Sequence, residues 1–323
     1  MERKRKNNQT IGRREFNFKK VHRHFHKRPA TKIGKYQFIR DNGETFGVVK
    51  MCKTLEVSKS GFYNWKNRKL SKRKAYNILL LAEIKRIHKE SEERYGSPKI
   101  YQALLSKGYL CSKKLVERLM RISNIRSRIV KKYTAVTTNS NHSASISPNL
   151  LKRKFRVSKP GKVWCSDITY IEIDSRWYYL TMIIDLFNRE IVGWDLSESL
   201  ETKSLLDCFE KAILLHQPKP GCIFHSDRGI QFATKEFRNK ITEHKMKQSM
   251  SRKGDCWDNA VAESFFKTLK NELIRHVKFK NIEQAKQSLF EYIEIFYNRK
   301  RIHSTLGFTS PVDFRKLYEQ RAA

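Results

Sequence analysis

The chain has 323 residues, 39% of them hydrophobic, and carries a net charge of +36. That length allows two or three domains with buried cores, and the charge sits almost wholly in one half: residues 1–158 hold 41 Lys and Arg against 10 Asp and Glu, and residues 159–323 hold 27 against 22. A polyanion such as nucleic acid is the natural partner of the front half, because each neutralised phosphate releases counterions, while the aromatic, strand-rich back half argues against a ribosomal or membrane-surface protein.

No run approaches the roughly 20 apolar residues of a membrane span, and the basic N-terminus lacks an apolar signal core. A cytoplasmic protein with no membrane partner is expected, nucleoid-associated when bound to DNA. The six cysteines are scattered without a CxxC pair, which argues against a zinc ribbon and a disulfide framework. His22, His24 and His26 alternate inside a basic run, but no second ligand pair stands at zinc-finger spacing.

Residues 1–40 carry 14 Lys and Arg and few periodic apolar positions; a disordered or loosely helical basic arm is expected. Residues 41–126 read as an all-α DNA-binding region. Val48, Val49, Cys52 and Leu55 fall at helical spacing, Glu56-Val57 forms a turn, and Ser58 is a candidate N-cap for a helix with Phe62, Tyr63 and Trp65. Lys59 decorates that helix-turn-helix. A second helical unit follows: Ile78 to His88 is amphipathic, Ser97-Pro98 reads as a cap with proline at the first helical position, and Gly108 ends the helix. Ser112 then caps a helix whose outer face carries Lys113, Lys114 and Arg118, a pattern that fits DNA binding or a plain bundle with a solvated basic face. Residues 127–158 lose periodicity and gain Ser, Thr and Asn. They read as a linker between mobile units, ending in Lys152-Arg153-Lys154.

Residues 159–320 change to a strand pattern. Strands are expected at Val163 to Ile173, Trp177 to Leu186 and Glu190 to Leu196, the last two joined by a tight connection at Asn188-Arg189. A helix at Lys203 to His216, a short buried strand at Cys222 to His225, a helix at Glu236 to His244 and a short strand at Gln248 to Met250 complete the core. Three strands followed by alternating helices and strands describe an α/β, ribonuclease H-like mixed sheet with helices on its faces.

Three acids stand out in this half. Asp167 lies inside the first strand among apolar neighbours, where a charge is costly unless paired or metal-bound. Asp227 follows the buried strand, at the kind of strand end where α/β sheets hold ligands. Glu263 lies one turn into a later helix, with Lys267 and Lys270 four and seven positions on, on nearly the same face. Acids from separate elements can hold two divalent cations for in-line phosphoryl displacement. Each also has an ordinary explanation: a surface acid, a turn acid, and an i,i+4 pair of Glu263 with Lys267. Asp255 and Asp258 read as N-cap candidates, and Asp185 as a structural acid. Spacing alone leaves the metal nuclease and the ordinary readings level.

Thirty-five residues, 228–262, separate Asp227 from Glu263. The run from Ser251 through Asp258-Asn259-Ala260-Val261-Ala262-Glu263-Ser264-Phe265-Phe266, the later Tyr297-Asn298-Arg299-Lys300-Arg301-Ile302-His303-Ser304-Thr305-Leu306-Gly307, and upstream Val57 to Tyr63 and Tyr95 to Arg121 resemble the second reading frame of insertion-sequence-three family transposases, which have a retroviral-integrase-like core. The resemblance spans roughly residues 45–315. Phe232 stands where the family often has Tyr.

The resemblance implies that Asp167, Asp227 and Glu263 bind two Mg²⁺ ions, with Mn²⁺ as a possible substitute. It implies cleavage at the element end to free a 3′-OH, followed by strand transfer. Lys270 is implied at phosphate or the terminal base pairs, with Lys267, Arg228, Asn259 and His303 as further DNA contacts. The implied partners are the element's terminal repeats, target DNA, further copies of the chain, and an upstream-frame product joined as a fusion. A nuclease of the same fold that cuts without joining, and a non-catalytic DNA-binding regulator, are the rival readings.

Overall fold

The computed structural model describes residues 31–128, 146–253 and 255–322. The expected basic arm up to residue 30, its three histidines, and residues 129–145 of the expected linker lie outside the described residues. The described residues fall into two units, divided between Leu79 and Leu80. The division falls at 79/80, inside the expected 41–126 helical region, which the sequence set between a basic arm of residues 1–40 and a linker of residues 127–158.

In the first unit, α1 (Lys32–Phe46), α2 (Val48–Thr54) and α3 (Lys59–Lys66) enclose a core of Tyr36, Ile39, Met51, Cys52, Leu55 and Phe62. α1 replaces the last part of the expected arm. Thr31 caps it by accepting from the Gly34 amide, and only Tyr36 and Ile39 of its residues are buried, a stripe too narrow to show as periodicity. α2 and α3 match the expected helix-turn-helix. Glu56 takes the left-handed conformation at the turn, with φ 54°, and Ser58 caps α3 through the Gly61 amide.

The chain continues through α4 (Lys72–Glu90), α5 (Ser97–Ser106) and α6 (Lys113–Ile122). Ser112 caps α6 as expected. At α5 the cap position is Gly96, without a side-chain bond, and Ser97-Pro98 already lies inside the helix. The apolar residues of α5, α6 and the part of α4 from Leu80 onward join one core with the sheet: Leu80, Ile84, Ile100, Leu104, Val116 and Met120 cluster with Ile171, Tyr292 and Phe296. Arg94 lies 4.2 Å over the Phe296 ring, and the Tyr95 hydroxyl donates to the Lys300 carbonyl and accepts from the Ile302 amide. These helices therefore belong to the unit of the sheet.

The sheet contains β1 (Val163–Ile173), β2 (Arg176–Asp185), β3 (Ile191–Ser197), β4 (Ile223–Ser226) and β5 (Lys247–Met250) in the order β3-β2-β1-β4-β5. β1 runs antiparallel to β2 and parallel to β4. Asp174 and Ser175, both left-handed, turn β1 into β2, the conformation that matches the twist of a tight hairpin.

The period-two alternation of each strand splits the core between two faces. Trp164, Ile183, Phe224 and Met250 pack with α7 (Thr202–His216), the single turn α8 (Ile230–Ala233) and α9 (Lys235–Glu243). Val163, Cys165, Met182 and Ile184 pack with α10 (Ala260–Glu272), α11 (Ile282–Phe290) and its π-helical continuation Glu291–Tyr297. α12 (Pro311–Ala322) ends the described chain. Gly193 allows α7 its close approach to β3, since a Cβ there would lie 2.9 Å from the Ala212 Cβ. Asp185 is structural: it accepts from the Gly161 and Phe187 amides and the Trp164 indole, and burial pushes its carboxyl up to about 6.

Candidate active site

β1 and β4 pair in parallel with a constant offset, from Val163 beside Ile223 to Cys165 beside His225. Two more residues along that register, Asp167 stands level with Asp227, just past the last paired positions. Asp167 shares its strand face with Val163, Cys165 and Ile171, the face covered by α10. Glu263 lies in the first turn of that helix. Strand register and helix packing thus bring the three acids into one electrostatic neighbourhood.

Their ionisation records it. Burial and then the Asp227 carboxylate push Asp167 well above the usual carboxylate range, with a further push from Glu263 and opposition from the Ile168 amide and Lys270. Loss of solvent at the carboxyl and the Asp227 charge raise Glu263. Burial lowers Lys270, which Asp167 partly offsets. Like charges that disfavour one another's ionisation are relieved by a cation. The donor set also fits a hard divalent ion, which prefers carboxylate oxygens. As the side chains stand, no three possible ligands among the described residues converge on one ion position.

The supporting bonds are local. Asp227 Oδ1 accepts from the Gly229 amide at 2.9 Å, and a Cβ on Gly229 would lie 3.1 Å from that same oxygen. Glycine is what lets the backbone close on the carboxylate. Phe232 is buried and packs on Phe224 and Phe237, so the ring expected at that position serves the core. Glu263 is exposed along its helix, and among the described residues no ion pair joins it to Lys267.

The expected DNA contacts separate into two groups. Lys270 is half-buried beside Asp167; Lys267, Lys59, Lys113, Lys114 and Arg118 are exposed on helices. Asn259, Arg228 and His303 also make contacts within the protein itself. Asn259 is buried and donates to the Ser166 carbonyl at 3.1 Å. Arg228 donates through Nε to the Ser251 carbonyl at 2.7 Å. His303 packs edge-on against Tyr297 with ring centres 4.9 Å apart and lies 3.2 Å from an Arg301 nitrogen; burial pushes it down to about 2, so its ring is neutral.

A clamp around Asp258 has no counterpart in the sequence reading. This fully buried carboxylate accepts from the Arg252 amide and guanidinium, from Arg153 and from Asn149. Arg252 and Arg153 also pair with Asp255. The Asp258 carbonyl lies 3.0 Å from His225 Nε2. Neither Asp255 nor Asp258 caps a helix through its side chain; Asp258 instead fastens the 149–153 segment to the turn that leads into α10. Arg252 is only six residues from it, but Asn149 and Arg153 lie more than 100 residues away in the chain, so only the fold reveals them.

A mixed sheet in this strand order, with acids from two adjacent parallel strands and a covering helix, defines an integrase-core protein. Models of the integrase core domain match residues 157–256 and 263–317, and an HTH-like domain model matches residues 76–133, over α4 to α6. The chain belongs to the IS3 family of insertion-sequence transposases. It is 34% identical to the transposase InsF of insertion sequence IS3A from Escherichia coli K12, over 87% of this chain and 98% of that one. It is 37% identical to the transposase of element IS904 from Lactococcus lactis, over 77% and 98%. It is 40% identical to an uncharacterized 31 kDa protein of insertion element IS600 from Shigella sonnei, over 84% and 100%. Among solved structures, the HTLV-2 integrase catalytic core in complex with magnesium is similar at 18% identity, over 50% of this chain and 99% of that one, with a TM-score of 0.39. The protein is thus a transposase, of the polynucleotidyl-transferase kind, acting in DNA integration.

Proposed function

We propose that Asp167, Asp227 and Glu263 form a two-metal site that cuts the element's ends and joins them to target DNA. The observation that carries this reading is the parallel register that sets Asp167 level with Asp227 under the helix bearing Glu263, with the Asp227 charge raising both Asp167 and Glu263. Asp167 and Asp227 would hold the ions from the strand ends, and Glu263, exposed at the start of α10, would complete the set by a change of side-chain rotamer. Mg²⁺, or Mn²⁺ in its place, supplies charge neutralisation and activation of the attacking oxygen when bound.

In the first step a water oxygen bonds to phosphorus, the bond from phosphorus to the 3′ oxygen breaks, and a proton passes from the water to that oxygen. The products are a 5′ phosphate and a free 3′-OH. In the second step that 3′-OH replaces the water: its oxygen bonds to a target phosphorus, the bond from that phosphorus to the target's own 3′ oxygen breaks, and the proton of the attacking hydroxyl passes to that released oxygen. Lys270 holds a phosphate oxygen or the terminal base pairs beside Asp167. Lys113, Lys114 and Arg118 on α6, and Lys59 on α3, grip backbone phosphate at the terminal repeats. Copies of the chain bridge two ends, and the upstream-frame product joins as a fusion that reads the repeats.

An end duplex supplied with its 3′-OH already free tests the joining step. Joined product in the presence of Mg²⁺ is expected. Cut product with no joined product at any protein concentration would overturn strand transfer and leave a nuclease.

A further inference from the structure

An indole stands in solvent on the turn that leads to Glu263 and is tied to the strand residue before Asp167. Trp257 is 69% exposed in the 3₁₀ turn Cys256–Asn259, six residues before Glu263. Its chain neighbours are the reverse, with Asp258 at 0% and Asn259 at 3%. Asp258 is fastened by Arg252, Arg153 and Asn149, and Asn259 by its bond to the Ser166 carbonyl. The backbone under Trp257 is therefore pinned while its ring projects outward. Among the described residues the indole has no hydrogen bond, ring contact or cation partner.

A tryptophan can bury about 150–250 Å² of mostly apolar surface, so holding one out on a fixed base leaves a large flat surface uncovered next to the site. The charged side chains around it narrow what can cover it. Arg153 and Arg252 reach the turn itself, where they pair with Asp255 and Asp258, and their chain neighbours Lys152, Lys154 and Lys253 are exposed. A flat π surface flanked by cations matches a nucleobase with its phosphates. A second copy of the chain would bring the same basic face to a two-fold contact and be repelled.

We infer that Trp257 is a stacking platform for the open face of a nucleobase at the DNA end, beside the phosphodiester to be cut. This inference rests on the carboxylate site proposed above. A base offers its face only where the stack ends or has been opened, so the platform selects ends and unpaired nucleotides over continuous duplex. Trp257 is a specificity and positioning residue: it sets which phosphodiester lies against the acids and takes no part in bond making.

The test uses the full chain in EDTA, so that no cleavage occurs. The probes are end duplexes carrying 2-aminopurine either at the terminal nucleotide or in the middle of the duplex. Wild-type protein is expected to quench the terminal probe and leave the internal probe unchanged. Trp257→Ala should lose that quench and bind the end duplex roughly tenfold more weakly, and Trp257→Phe should retain most of both. Unchanged quench and affinity in Trp257→Ala would overturn the inference. So would a loss of binding accompanied by a smaller oligomer in light scattering without DNA, which would make Trp257 a protein contact. The carboxylate reading fails on a different signal: if Asp167→Asn cleaves like wild type with Mg²⁺, that reading falls while the stacking result in EDTA stands by itself.

Discussion

Asn259 donates its side-chain amide to the Ser166 carbonyl across 3.1 Å, tying the turn that leads to Glu263 to the strand residue before Asp167. Its other amide atom, Oδ1, is buried without a partner among the described residues. The bond therefore works as a strut between two of the three acid-bearing elements. Asn259→Ala should cost about 1–2 kcal/mol of stability for the lost bond to the buried Ser166 carbonyl. Strand cleavage should fall about 10- to 100-fold, the scale of a small misplacement at a reacting centre, while affinity for end DNA stays within about twofold. Affinity lost in step with cleavage would restore Asn259 as a direct DNA contact.

Asp258 carries a pH dependence of definite sign. Its Arg252 hydrogen bonds hold its carboxyl below the usual carboxylate range, helped by the Arg252 amide and Arg153 and opposed by burial. A carboxyl whose folded value is depressed adds stability above its unfolded value, near 4, and loses it as pH falls toward the folded value. The melting temperature of the wild type should therefore drop between about pH 4 and pH 2, and Asp258→Asn should be less stable at pH 7 and lack that part of the drop. Parallel melting curves for the two proteins across this range would refute the clamp.

The Glu272–Arg301 pair is buried on both sides and bidentate, with Arg301 nitrogens 2.8 to 3.2 Å from the carboxylate oxygens and the Tyr292 hydroxyl donating at 2.9 Å. It joins the last turn of α10 to the segment after the π helix. Arg301→Leu leaves Glu272 buried and unpaired, and should destabilise the protein by about 3–5 kcal/mol, read as a shift of the urea midpoint. Replacing both residues, as Glu272→Met with Arg301→Leu, should recover much of that loss. A double variant no better than the single one would mean that the pair's geometry, and not its charge balance, holds α10.

Much of the fold is legible in the sequence because its signals are local. Alternation marked β1 to β3, Ser58 and Ser112 cap the helices they were expected to cap, and the Asn188-Arg189 connection turns with Arg189 left-handed. What escaped is what depends on distant partners. α1 buries two residues against helices that follow it, too few for a periodic pattern. Asn259 and His303 sit in family-like motifs and were expected at DNA, and the bonds of Asn259 Nδ2 to the Ser166 carbonyl and of His303 Nε2 to Arg301 appear only in the fold. α4 to α6 look like a free helical domain by their own periodicity, and only the shared core with Tyr292 and Phe296 shows that they belong to the unit of the sheet.

The central claim is that Asp167, Asp227 and Glu263 act together through bound divalent metal. It is tested most directly by assaying wild type, Asp167→Asn and Glu263→Gln on end DNA, in EDTA and then with Mg²⁺ restored. The account predicts cut and joined product only for wild type with Mg²⁺, and a loss of about a thousandfold or more in either variant, as expected for groups that work as one unit. Equal product from wild type and Asp167→Asn, or undiminished wild-type product in EDTA, would contradict it.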